Sequence, residues 1–182
     1  TFLTTRLVQG ETQIHLAKAS NGIRSLTLSI GTLTVEPDAT LLLYFGPSGS
    51  MGSSERFFLG NGTALLKNNI LPFAFNRSGD LFSYVEPSAD RTSGGIGPLG
   101  NAGFPNYDAN SLGDATQSNP RQNIRQSGSL TVPVMRVGSV AGTYHANAIA
   151  GVRTTNGQNI VFANDGDTLN LTAGVIALES GN

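Results

Sequence analysis

The sequence contains no cysteine, which excludes disulfide bonds, thiolate metal sites and cysteine nucleophiles. It also lacks a long apolar run: the longest covers residues 41–45, far short of the roughly 18 or more residues of a membrane span. The first residues do not show the basic-then-apolar pattern of a secretory signal. We therefore predict a chain that folds without covalent cross-links and does not insert into a membrane.

Charge is scarce as well. Charged residues make up 13% of the chain, against a usual value of about 25%, and Lys18 and Lys67 are its only lysines. The net charge is −1 and no basic run occurs, which argues against binding nucleic acid by phosphate neutralisation. A lysine-poor surface rich in Asn, Thr and Gly is typical of extracellular and virion β proteins, so we predict an extracellular or virion-surface location.

Amphipathic helical spacing is also missing, and alternation of apolar and polar residues takes its place. Leu26, Leu28 and Ile30 share one face of a predicted strand, and Gly31 shifts the alternation to Leu33 and Val35. Such segments recur every eight to twelve residues or so, with Asn-Gly and similar turn signals between them. The pattern predicts one all-β domain over residues 1–182, a sandwich or jelly-roll-like body of eight or more mostly antiparallel strands.

One long irregular segment interrupts this pattern. Residues 86–128 are rich in Gly, Pro, Asn and Ser, and they separate a strand block at 1–85 from another at 129–182. Loops of this length are uncommon inside compact domains and are either functional or disordered. We interpret the segment as a long loop insertion that contacts a partner, with disorder as the alternative.

The residue types in this segment identify candidate contacts, because arginine and aromatic side chains dominate interface hot spots. The candidates for a partner or a glycan are Arg91, Phe104, Tyr107, Asp108, Arg121 and Arg125. Tyr107, Asp108 and the neighbouring asparagines Asn106 and Asn110 also form the mixture of ring, amide and carboxylate groups expected of a sugar-binding loop.

A second candidate site is a weak calcium loop at Asn164, Asp165 and Asp167, where a tight turn could gather several hard oxygen ligands. The alternative is an ordinary β-turn between two strands, since no acidic residue follows at the EF-hand spacing. Apart from calcium we expect no cofactor.

The G-x-G-x-x-G match at residues 95–100 lies in a Gly- and Pro-rich segment without the strand and helix that a dinucleotide site requires.

No catalytic constellation stands out. His15 and His145 are the only histidines, no G-x-S-x-G elbow occurs, and the acidic residues form no distinctive pair. We therefore do not expect an enzyme. The sequence favours a structural subunit that self-assembles into a homo-oligomer or filament, with other structural subunits as further partners, and residues 1–19 as a strand added to a neighbouring copy. The alternative is a carbohydrate-binding or adhesin module that uses residues 86–128.

Overall fold

The computed structural model describes residues 1–17, 25–45, 51–52, 54–110, 119–128, 130–132, 142–153, 160–162 and 165–179. Within these residues, strands form nearly all of the regular structure, and the only helical element is a short 3-10 turn. The prediction of an all-β chain is therefore confirmed. The chain divides into two compact units, Thr1–Asn76 with Leu81–Asn106, and Arg77–Asp80 with Tyr107–Asn182.

The first unit is built from short strands separated by bends. They are β1 (Phe2–Leu7), β2 (Gly10–Leu16), β3 (Leu26–Val35), β4 (Ala39–Phe45), β5 (Glu55–Leu59), the 3-10 turn Thr63–Leu65, β6 (Ala74–Phe75), β7 (Phe82–Val85) and β8 (Gly95–Pro98).

Parallel pairing organises these strands into two sheets, β1-β3-β5 and β2-β4-β6. Phe2 pairs with Ile30 and Leu7 with Val35, so partners in β1 and β3 lie 28 positions apart in the sequence. Gly10 pairs with Ala39, 29 positions away, in the other sheet. The chain thus gives one strand to each sheet, turns the corner and returns one layer further on, which is the winding of a β-solenoid. Consecutive strands such as β1 and β2 belong to different sheets.

The core of this unit lies between the two sheets, where inward residues of successive layers stack. Leu41, Leu43 and Ile30 are 0%, 1% and 4% exposed, and each side chain of this kind contributes about 1.5–3 kcal/mol when fully buried. The predicted shift of alternation at Gly31 is also present: Ile30 and Leu33 are both buried, and Thr32 and Thr34 are exposed.

Close stacking requires glycine where two layers approach each other. A Cβ atom on Gly31 would lie 2.6 Å from the carbonyl oxygen of Leu3, and one on Gly60 would lie 2.2 Å from that of Gly31. Immediately after Gly60, the Asn61 side chain extends the ladder: Oδ1 accepts from the Leu33 amide at 2.9 Å and Nδ2 donates to the Leu33 carbonyl at 2.9 Å. A side-chain amide therefore replaces the peptide group that a further strand would supply.

The strands β7 and β8 form the one antiparallel ladder between named strands in the described residues. Phe82 pairs with Pro98 and Val85 with Gly95. Gly95 lies directly against β5, since a Cβ atom there would be 2.6 Å from the Phe57 carbonyl oxygen. The hairpin covers the outer face of β5, and all five residues of that strand are buried.

The second unit repeats the parallel arrangement. Its described strands are β9 (Asn123–Gly128), β10 (Leu130–Val132), β11 (Thr143–Arg153), β12 (Ile160–Phe162) and β13 (Thr168–Glu179). They form the sheets β13-β11-β9 and β10-β12, with every ladder parallel. Asn123 pairs with Ala148, 25 positions further along the chain.

Its interior contains a polar pair as well as apolar side chains. Asn123 and Asn147 are 2% and 0% exposed, and Asn147 Nδ2 donates to Asn123 Oδ1 at 2.7 Å. The backbone amide of Asn147 also donates to the backbone carbonyl of Gln122 at 2.7 Å. Stacked amides of this kind bond layer to layer in the same direction as the backbone ladder, which makes them compatible with a parallel stack. The apolar part of this core includes Ile124, Tyr144, Ala146 and Ile149.

The predicted sandwich or jelly-roll of mostly antiparallel strands with one long loop insertion is wrong. Almost all ladders are parallel, and residues 86–128 contain β8 and β9 rather than one irregular loop. The physical reason is that a half-buried strand alternates in the same way in either architecture. Alternation identifies the strands, whereas their partners are set by the spacing between layers.

Candidate functional site

The six predicted contact residues fall into two groups. Arg91 and Phe104 belong to the first unit, and the other four, Tyr107, Asp108, Arg121 and Arg125, belong to the second. Arg125 lies in β9, and the structure brings Tyr107 and Asp108 alongside that strand. Arg121 is exposed, and its backbone amide donates to Asn119 Oδ1 at 2.9 Å.

Residues 107–110 run alongside β9 as a short added strand. The Asp108 amide donates to the Asn123 carbonyl at 2.8 Å, and the Asp108 carboxylate accepts from the Asn123 amide at 2.6 Å. Ala109 forms a parallel bridge with Ile124, and its carbonyl accepts from the Arg125 amide at 2.9 Å. This part of the predicted loop is therefore an ordered continuation of the sheet.

The ring of Tyr107 contacts an arginine of its own unit. The Arg125 guanidinium lies 5.6 Å from its centroid, in cation–π contact. Arg125 is fixed in turn by Asp80, whose carboxylate lies 3.2 Å from Nη1. Tyr107, Arg125 and Asp80 thus contact one another, and Asp108 beside them is exposed.

Phe104 has a packing role. Its ring lies over two glycines, since Cβ atoms built on Gly52 and Gly97 would fall 2.5 Å and 2.2 Å from its atoms. The glycines create the flat surface that the ring covers. Phe104 is half-buried and holds the turn after β8 against the hairpin.

The calcium candidate is partly described. Asn164 lies outside the described residues, Asp165 is exposed, and the Asp167 carboxylate accepts from the Gly142 amide at 2.9 Å. Within the described residues, no three His, Cys, Asp or Glu side chains form a group that could hold a metal ion. The observed role of Asp167 is to bond the segment before β11 to the turn before β13.

A groove in the first unit presents a different set of polar groups. Its volume is about 240 Å³, and its lining includes Ser29, Gly31, Gly60, Tyr84, Glu86 and Arg91. These residues come from β3, from the turn after β5, from β7 and from the loop between β7 and β8. Of the six residues predicted from the sequence, only Arg91 lines this groove.

Arg91 is held at the rim in an unusual backbone conformation. Its φ is 56°, in the left-handed region that few residues with a side chain adopt. Its guanidinium lies 5.1 Å from the centroid of the Phe58 ring, and its carbonyl accepts a hydrogen bond from Arg56 Nη1. Phe58 is only 2% exposed because the Arg91 loop covers it.

The loop that carries Arg91 is braced by its own side chains. The Asp90 carboxylate accepts from the hydroxyls of Ser88 and Thr92 at 2.7 Å and 2.8 Å, and from the Thr92 amide at 3.2 Å. Ser88 Oγ accepts from the amides of Thr92 and Ser93 at 3.1 Å. The Arg91 amide donates to the Ser88 carbonyl at 2.8 Å. These bonds fix the turn that points Arg91 over the groove.

Two ionisable groups near the groove respond to this environment. The hydroxyls of Ser88 and Thr92 and the Thr92 amide lower the pKa of Asp90 by bonding to its carboxylate. Burial, and secondly the nearby Glu86 carboxylate, raise the pKa of Tyr84. Tyr84 therefore stays neutral and donates its hydroxyl proton to the Leu59 carbonyl, while Glu86 accepts a hydrogen bond from the Thr63 hydroxyl.

Acidification is expected to loosen the Asp90 turn. Because the folded-state pKa of Asp90 lies below its ordinary value of 3.8, the stabilisation is present above that value and is lost as the pH falls through the lowered pKa. We expect the chemical shift of the Thr92 amide to change as the pH falls below about 4 in an NMR titration. The variant Asp90→Asn should show no such transition. A Thr92 signal that is constant to pH 2 would contradict the role of Asp90.

Sequence reasoning missed Ser29, Gly31, Gly60, Tyr84 and Glu86 as lining residues. The pairing of β3 with β5 advances by 29 positions, and Gly31 and Gly60 lie at that spacing. This recurrence of glycine was the available signal, but it has meaning only once the layer spacing is known.

The histidines are separate from this groove. His15 is on the exposed face of β2, where its ring meets that of Tyr44 edge-on at 5.9 Å. His145 lies in β11 of the second unit, in register with Asn170.

The G-x-G-x-x-G match at residues 95–100 forms β8 and a turn, and no helix follows it in the described residues.

Comparison with protein-family models, with curated proteins and with solved structures finds no match for this chain. In the part of the chain that the structure describes, no helix combines the length and apolar character that crossing a bilayer requires.

Proposed function

We propose that the chain is a structural subunit of an extracellular or viral assembly and acts through contacts between copies, without a catalytic role. The observation that carries the proposal is that, among the described residues, three sheets end in strands that pair along one edge only. β1 and β2 are the outer strands of the two sheets of the first unit, and β13 is the outer strand of a sheet in the second. Peptide groups on such edges can pair with another strand. The extracellular or virion location rests on the low charge and low lysine content.

Apolar side chains at these edges favour the same function. Phe2 is 59% exposed, yet it heads a stack in which the next members, Ile30 and Leu59, are 4% and 2% exposed. Another layer placed on β1 would bury Phe2 as Ile30 is buried. Leu3 and, on β13, Leu178 are 87% and 51% exposed, and large exposed apolar side chains at an edge are typical of association sites.

The proposed contact is heterologous: the edge of β13 in one copy pairs with the edge of β1 in the next. Such a contact uses two different surfaces, so it leaves one of each free and can continue into rows or filaments. This refines the prediction for residues 1–19. Phe2–Leu7 and Gly10–Leu16 pair with β3 and β4 of their own chain, so their free edges are the surfaces available to a neighbour.

A pair of edge variants tests this contact. Leu3→Lys and Leu178→Lys each place a charge on one edge, where lysine opposes strand addition. We expect each variant alone to weaken self-association at least tenfold, which corresponds to about 1.4 kcal/mol. Because each variant retains the other edge, an equimolar mixture should form dimers and nothing longer. Light scattering coupled to size-exclusion chromatography measures the masses.

Thr32→Lys is the matched control, because it adds the same charge to an exposed position on β3, whose two edges are both paired. It should assemble like the parent chain. Association that is insensitive to both edge variants would refute pairing through these strands, and a parent chain that remains monomeric at high concentration would refute self-assembly.

The second candidate function is glycan binding, and the groove that includes Glu86 and Arg91 favours it. Glu86, Pro87 and Arg91 line this groove together with apolar side chains, and a concave site with a few fixed polar groups can orient a small ligand. A glycan array tests this candidate independently of the association experiment, since neither Leu3 nor Leu178 lines the groove.

A further inference from the structure

We propose that the groove binds a single acidic sugar residue, with the ligand's carboxylate at Arg91 and its hydroxyls at Glu86 and Ser29. The inference rests on the glycan-binding candidate and gives it a ligand class. Three observations lead to it: the conformation of Arg91, the opposite charge of Glu86, and the small volume of the groove with glycine in its lining.

The first observation is that the fold fixes an arginine in a costly conformation. A residue with a side chain in the left-handed region carries backbone strain and persists only when its surroundings enforce it. Here the bonds within residues 88–93 and the bond from Arg56 supply that enforcement. Preorganisation of this kind lowers the entropic cost of binding, because the side chain is already in place when a ligand arrives.

The chemistry of Arg91 then selects the ligand group. The side chain is exposed, and its guanidinium lies 5.1 Å from the centroid of the Phe58 ring, in cation–π contact. No ion pair within 4 Å links Arg91 to a carboxylate in the described residues. A planar guanidinium with free edge donors matches a carboxylate with two parallel hydrogen bonds, which is stronger and more specific than a contact with a neutral oxygen.

The second observation is that Glu86 lines the same groove. Its negative charge disfavours a simple anion and favours a ligand that also donates hydrogen bonds. The half-buried Ser29 adds a hydroxyl that both donates and accepts. A molecule with a carboxylate beside several hydroxyls, such as a uronic or sialic acid residue, satisfies Arg91, Glu86 and Ser29 together.

The third observation is the shape of the groove. Its volume of about 240 Å³ is below the range of roughly 300–1,000 Å³ found for drug-sized ligands, so it accommodates one ring. Gly31 and Gly60 contribute no side chains to its lining, so a sugar ring can approach the backbone of two successive layers at these positions.

Titration of the full chain with glucuronic acid, followed by amide NMR, tests the assignment. We expect saturable shifts at Gly31, Gly60 and Arg91, and weaker binding of glucose, which lacks the carboxylate. Acetate, which lacks the hydroxyls, should also bind more weakly. Arg91→Gly should reduce the affinity for glucuronic acid at least tenfold, as expected for loss of charge-assisted hydrogen bonds. Its melting temperature should change little, because the relief of strain at a positive φ offsets the lost cation–π contact with Phe58.

Arg121→Ser is the control, since it also removes one exposed arginine but from a position outside the groove; its affinity should equal that of the parent. Glu86→Gln should bind acetate more tightly than the parent chain does. Equal affinity for glucose and glucuronic acid would overturn the acidic-sugar assignment and leave glycan binding intact. Shifts confined to other residues, or an Arg91→Gly variant that binds normally, would overturn the assignment to this groove.

Discussion

Replacing Gly60 with alanine is expected to destabilise the first unit by about 3 kcal/mol, the upper end of the usual range for overpacking. The new Cβ would lie 2.2 Å from the Gly31 carbonyl oxygen and 3.1 Å from its carbonyl carbon. These are backbone atoms of the adjacent layer, so they cannot rotate away as the end of a side chain can. The Gly60 amide also donates to the Ile30 carbonyl at 2.8 Å, and separating the layers would lengthen that bond. Urea denaturation measures the change in the free energy of unfolding.

Gly103→Ala is the informative comparison for Gly60→Ala. Gly103 has a φ of +86° but no atom within 4 Å of a Cβ position, so its replacement introduces backbone strain without a clash. We expect this variant to lower the free energy of unfolding by about 1 kcal/mol. If the two variants lose the same stability, layer contact at Gly60 is not the cause of its requirement for glycine.

The buried pair Asn123–Asn147 gives the second large effect. Asn147→Ala removes the donor to Asn123 Oδ1 and is expected to lower the free energy of unfolding by about 1–3 kcal/mol, the usual range for removing one partner of a buried hydrogen bond. Asn147→Asp should cost more at neutral pH, about 3–5 kcal/mol, because it buries a carboxylate that faces the Asn123 oxygen. Thermal or chemical unfolding of the second unit measures both changes.

The pH dependence of Asn147→Asp provides a further check on its mechanism. Burial and the adjacent oxygen should raise the folded-state pKa of the introduced carboxyl above its unfolded value of about 3.9. A raised pKa means that stability is retained below the unfolded value and lost as the pH rises through the folded one. The variant should therefore approach the stability of the parent chain as the medium is acidified.

Asn170→Asp is the matched control, since Asn170 is exposed on β13. Its effect should stay within about 0.5 kcal/mol, as for most surface substitutions. If the Asn147 variants behave like this control, the amide pair does not contribute to the stability of the layers.

The sequence predicted individual strands well because one face of each is buried. Leu26, Leu28 and Ile30 lie on β3 as expected, and the shift of alternation at Gly31 brings Leu33 into the core. These assignments needed only the period of two that any half-buried strand shows. The local pattern of alternation was therefore sufficient to predict these strand positions.

Strand partners could not be predicted in the same way. Asn-Gly dipeptides favour two-residue hairpins, yet Asn61 follows β5 and its side chain bonds to Leu33 in the preceding layer. The parallel arrangement is encoded by apolar positions that recur 28 or 29 residues apart, such as Leu7 with Val35. Because only the type of side chain recurs, such a repeat is hard to detect in a single sequence.

The groove shows the same limit. Arg91 was identified from its residue type, but Ser29 and Gly60 join it only because β3 and β5 are adjacent layers. Conversely, Tyr107 has the composition of a contact residue, and the fold instead places Arg125 over its ring. A site assembled from several layers can be identified only when the register of the paired strands is known.

The short separation between parallel partners, 25 positions for Asn123 with Ala148 and 33 for Leu41 with Ala74, has a consequence for how the chain folds during synthesis. Each layer of a solenoid needs only its immediate predecessor as a template, so order can propagate from one end with modest loop-closure cost at every step. A polypeptide that emerges gradually, from a ribosome or through a pore, could thus acquire its native pairing while its remainder is still unformed. Pausing emergence within β3 should leave β1 without its pairing partner, and protease protection of β1 should begin only after β3 is released.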